Sequence, residues 1–169
     1  MESLSRNDAE QWCVAHGVTL RPGERLRPSE PEFARSFPIP SDTGQRLAMV
    51  ATQFAPFADQ HELLVWFTDW GVWPSSERRH IFDRFRLSYG EARPLIEIPA
   101  HVFTASEAED ALSFVSLGAL FMWDVFVIAG DGHSLLHYSH DEGGWAAGEA
   151  WDLAAGCPTT ATSDGVSSS

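Results

Sequence analysis

The chain has 169 residues with a formal net charge of −13, and its 11 basic residues are all arginines. The last of them is Arg93, so residues 94–169 carry 11 acidic side chains and no compensating cation. A field of that sign repels phosphate backbones and anionic lipid, which excludes nucleic-acid or membrane-surface binding as the main role. The content of 44% apolar and 12% aromatic residues excludes a disordered chain, and the length suits one domain.

In chain order, Ser5-Arg-Asn-Asp8 followed by Ala9, Trp12, Cys13 and Ala15 has helical spacing, and Gly17 stands where a helix would end. Residues 19–32, rich in proline and arginine, read as an irregular crossing with one short strand. Phe33–Pro40 and Gln45–Phe54 flank the polar turn Ser41-Asp-Thr-Gly44, a pattern that predicts a β-hairpin. Leu63–Trp70 is β-branched and aromatic enough for a strand, with Trp66 and Trp70 on one face and Phe67 on the other. Pro74-Ser-Ser-Glu77 signals a helix start, and Ile81, Phe82, Phe85 and Tyr89 then mark one apolar face up to Gly90.

Thr104-Ala-Ser-Glu107 has the capping-box pattern ahead of a helix apolar almost all round, expected to be the central buried element with Leu112 and Leu120 in the core. Residues 111–129 hold Asp124 as their only charge. They approach the length of a membrane span, but that charge and the lack of flanking cations favour a buried helix running into a buried strand. Trp123–Ala129 and Ser134–His140 flank Gly130-Asp-Gly-His133, the strongest hairpin signal in the chain. After residue 152 the composition falls to small and polar residues, which predicts a disordered tail over 153–169 behind a single domain over 1–152. The order of elements reads as α+β, an antiparallel sheet with helices packed on one face.

The polar, acidic start lacks a secretory pattern, and Cys13 and Cys157 have no metal or redox spacing, so free thiols in the cytoplasm are expected. An arginine-only set of cations beside abundant alanine and glycine points to a GC-rich, bacterial genome. No serine stands in a nucleophile elbow and no glycine-rich phosphate loop occurs; no cofactor is expected.

Three groups carry candidate chemistry. His133, His137, His140, Asp141 and Glu142, with His101 brought near by the fold, offer imidazole and carboxylate donors of the kind that hold zinc or iron. A strand, however, turns His137 and His140 to opposite faces. Glu77, Arg78, Arg79, His80, Asp83, Arg84 and Arg86 would give an exposed helix laced with ion pairs, or arginines for a phosphate group. Trp66, Trp70 and Trp73 form the densest aromatic group, of which Trp70 and Trp73 are candidate interface anchors.

The segment Trp70-Gly-Val-Trp-Pro-Ser-Ser-Glu77, continued by Arg84-Phe-Arg-Leu-Ser-Tyr-Gly90, Trp123-Asp124 and Ser139-His-Asp-Glu142, resembles a family of uncharacterised bacterial proteins over residues 35–145. No activity is known for that family, and the resemblance implies none. Charge polarity, small size and the lack of a catalytic motif favour a non-catalytic acidic interaction module. Its concrete form is an immunity or antitoxin protein that binds a basic partner through Trp70, Trp73, Asp141 and Glu142. The alternative is a small metal-dependent hydrolase using His101, His137, His140 and Asp141.

Overall fold

The computed structural model describes residues 1–22, 26–70, 79–121 and 123–148. Seven strands form one antiparallel sheet: β1 (Glu2–Leu4), β4 (Arg35–Pro38), β5 (Glu62–Asp69), β6 (Ala100–Thr104), β7 (Asp124–Ala129), β8 (Leu135–Tyr138) and β9 (Gly143–Ala147). Their order is β1-β6-β5-β7-β8-β9-β4; β2 (Leu20–Arg21) and β3 (Arg27–Pro28) make a separate two-stranded ribbon. Four helices pack on the large sheet: α1 (Arg6–Ala15), α2 (Thr43–Phe54), α3 (Arg79–Ser88) and α4 (Ala108–Leu120). The protein is a single α+β domain. No helix among the described residues is long and apolar enough to cross a membrane.

The alternation of β5 decides the two layers. Leu63, Val65 and Phe67 face a core built with Val50 and Phe54 of α2, Phe82 of α3 and Phe114 of α4. Leu64 and Trp66 face the other way, onto Ala9 and Cys13 of α1. Three helices thus share one face, while α1 covers part of the other. Burial pushes the Cys13 thiol up to about 12, helped by the nearby Glu10 carboxylate, so this cysteine is not a thiolate at neutral pH.

Local signals explain most elements. Ser5 caps α1 by accepting from the Asp8 amide, and Gly17 follows the helix with φ +75°. Thr104 and Glu107 form the expected capping box. Asp131 Oδ1 accepts from the amides of His133 (2.7 Å) and Ser134 (3.0 Å), closing the β7–β8 hairpin.

Three expectations require correction. Residues 43–54 are a helix and not the second strand of a hairpin, because Asp42 caps them through the Gln45 amide (2.8 Å). Arg46, Val50, Gln53 and Phe54 then make the buried stripe. The most buried element is the central strand β7, every residue of which is buried, and not α4, where Leu112, Leu117 and Leu120 stay partly exposed. A register shift between Phe67 and Asp69 breaks the strand alternation, so Trp70 packs against the helix-side core while Trp66 lies on the opposite face. The expected tail, residues 153–169, and the expected start of α3, residues 74–77, lie outside the described residues.

Candidate functional site at one end of the sheet

Antiparallel pairing brings one end of four strands together. β5 finishes at Asp69 opposite Asp124, the first residue of β7, while Tyr138 at the end of β8 pairs with Val125 and with Gly144 of β9. The turn between β8 and β9 is tight. Ser139 donates its amide to the Gly143 carbonyl (2.8 Å), and Glu142 takes φ +60°, the left-handed region unusual for a residue with a Cβ. The Glu142 carbonyl accepts from Ile39, which ties the turn to the end of β4.

At the centre is a buried carboxylate. Asp124 is 3% exposed, and its Oδ1 accepts both the His140 amide and His140 Nδ1, each at 2.7 Å. A charge so placed needs partners, and the His140 ring and backbone supply them. Burial alone would hold the His140 pKa down. The hydrogen bond to Asp124 and the fields of Asp124, Asp141 and Asp69 outweigh it, so the imidazole titrates above its ordinary value. Asp141, with its side chain 81% exposed, approaches His140 Nε2 at 3.4 Å. Asp69 and Glu142 are also exposed, and Trp70, which follows Asp69 in the chain, is half-buried against the helix-side core.

Asp69, Asp124 and His140 each offer one donor atom within 4.8 Å of the others. Two oxygens and a nitrogen are acceptable ligands for a divalent metal, whose donors at ~2.0–2.2 Å lie up to about 4.4 Å apart. The 2.7 Å separation of His140 Nδ1 from Asp124 Oδ1 fits a shared proton between those two atoms rather than an ion.

Of the residues singled out in the sequence, His140, Asp141 and Glu142 meet here with Trp70 at the neighbouring strand end. Trp73 and Arg78 lie outside the described residues. His101 and His137 do not join His140 in one donor set. His101 is on the helical face, accepting from Arg86 Nε through Nε2 (3.3 Å) and touching Phe114. His137 is on the other face, stacked on Phe126 with ring centroids 4.1 Å apart. Burial drives both imidazoles down to about 3, with help from the arginine fields of Arg86 at His101 and of Arg27 and Arg21 at His137. Both rings are therefore neutral at pH 7. His133 sits in the β7–β8 turn, at the other end of the sheet.

Neither Asp69 nor Asp124 stands out in the sequence as a site residue. The available signal was Asp124 itself, a lone carboxylate in the otherwise apolar run Trp123–Ala129, where a buried charge demands a partner. Comparison with protein-family models, with curated proteins and with solved structures found no match to this chain.

Proposed function

We propose that the protein is a non-catalytic binding module whose acidic sheet end receives a basic protein partner. The observation that carries this reading is the gathering of exposed Asp69 and Asp141 around buried Asp124 and half-buried His140, with exposed Glu142 in the same turn as Asp141 and half-buried Trp70 next in the chain to Asp69. Exposed carboxylates round a partly buried aromatic suit arginine and lysine side chains, with the ring as an anchor and the charges setting approach and specificity. Inhibition of a cationic enzyme, as by an immunity or antitoxin protein, is the concrete form of that role.

A second reading, a metal-dependent hydrolase, draws support from the proximity of Asp69, Asp124 and His140. One comparison separates the two. The wild-type protein and the double variant Asp141→Asn/Glu142→Gln are used side by side to retain partners from the native host, with elemental analysis of the purified wild type in parallel. A basic protein held by the wild type and lost from the variant supports binding. Stoichiometric metal, with turnover that a chelator abolishes and no such protein, overturns it.

A further inference from the structure

The arginines of α3 create a local reversal of charge that the acidic sheet end does not use. A cavity of about 350 Å³ is lined by Arg79, Arg84, Arg86 and Arg93 against only Asp83 and Glu91. Most of these cations are engaged. Arg93 is held by Glu91 through Nη2 at 2.6 Å, Arg79 faces Asp83 at 3.6 Å, and Arg86 donates to the carbonyls of Arg93 (2.8 Å) and Ile98 (3.0 Å). Arg84 is exposed and has no hydrogen bond or ion pair among the described residues.

Arg84 also lines a second, larger space. This open groove of about 700 Å³ runs between α2, α3 and α4 over Leu47, Ile81, Phe85, Leu112, Leu117 and Leu120. Helical geometry makes the arrangement: Ile81, Arg84, Phe85 and Ser88 are three and four residues apart and form one stripe of α3. Both volumes fall in the range of small-molecule sites, about 300–1,000 Å³. A guanidinium without a partner among the described residues, at the junction of a cationic cavity and an apolar groove, is complementary to a ligand with an anionic head and an alkyl body.

We infer that the helical face binds a free amphipathic carboxylate, its head on Arg84 at the mouth of the arginine cavity and its chain along the groove. The overall negative charge sets the selectivity. A small anion without an apolar body gains too little to overcome the long-range repulsion, and an anionic membrane presents more of that repulsion than a single head group does.

Calorimetry on the full chain tests this with decanoate below its micellar concentration, 1-decanol, acetate and vesicles of anionic phospholipid as probes. One decanoate should bind per chain, at least about tenfold tighter than decanol or acetate, and vesicles should not bind. Arg84→Gln should weaken decanoate by about tenfold and leave decanol unchanged, as expected for one charge-assisted contact. Ile81→Gln, at a side chain already 44% exposed, should weaken both alkyl probes without loss of fold. Equal binding of decanoate and decanol, indifference to Arg84→Gln, binding of vesicles in preference to decanoate, or no binding at all would each overturn the inference.

Discussion

His137 stacks on Phe126 and touches Trp145, and neither of its ring nitrogens finds a hydrogen bond among the described residues. A buried polar group left in that state costs about 1–3 kcal/mol. His137→Phe should therefore raise stability by about 1 kcal/mol at pH 7, measured by urea unfolding, provided the larger ring is accommodated. The pH dependence gives an independent check. His137 and His101 have folded pKa values depressed to about 3, so the unfolded chain binds more protons between there and about 6.5. Their contribution is present above the unfolded value and lost as the pH falls, so stability should drop from pH 7 towards pH 4, less steeply in His137→Phe. His140 runs the other way. Its raised folded pKa makes its contribution complete below the unfolded value and lost as the pH climbs through the folded one. An NMR titration of the His140 ring should place its midpoint above 6.5, the model-compound value, and Asp124→Asn should lower it; an unmoved midpoint would contradict the pairing.

The elements show where local pattern suffices and where packing decides. Strands β5, β7 and β8 and helices α1 and α4 follow from β-branched runs, an Asp-Gly turn and capping residues, all of which act within a few positions. In residues 43–54 the local signals conflict: Gly44 invites a hairpin, whereas Asp42 as a cap and the helical spacing of Arg46, Val50 and Phe54 carry the outcome. The Arg46 guanidinium adds a long-range reason, donating to the carbonyls of Pro40 (2.9 Å), Ser41 (3.1 Å) and Ala119 (3.4 Å) and so joining the start of α2 to the end of α4. In α4 the continuous apolar run hides which side is buried. Phe114 lies against Phe82, Phe85 and Phe103, while Leu112 borders the open groove. Phe114→Ala should cost about 3–5 kcal/mol and Leu112→Ala about 1 kcal/mol or less. Gly118→Ala should also destabilise despite better helix propensity, because a Cβ there would come 2.8 Å from Phe67 Cε1. Equal losses at Phe114 and Leu112 in chemical denaturation would contradict this assignment of faces.

On the scale of the whole molecule, the polarised charge of the sequence becomes spatial because the β5–β7–β8–β9 register brings Asp69, Asp124, Asp141 and Glu142 to one end. Asp141 and Glu142 were legible as a local acidic turn. Asp69 and Asp124 were not, since they are 55 positions apart and meet only through strand pairing. Protonation of His140 adds a positive charge to this end, so affinity for a basic partner should weaken as the pH falls through the raised His140 pKa. Affinity measured between pH 8 and pH 6 by calorimetry checks that expectation.

Electrostatic attraction at the sheet end is measured directly by stopped-flow association with the retained basic partner. As salt rises from about 50 to about 500 mM, the Debye length falls from roughly 14 Å to about 4 Å. The association rate of the wild type should fall by about tenfold or more over that range. Asp141→Asn/Glu142→Gln should be slower at low salt and less salt-dependent, with little change in dissociation rate. Identical salt dependence in the wild type and the double variant would mean that Asp141 and Glu142 do not steer the partner.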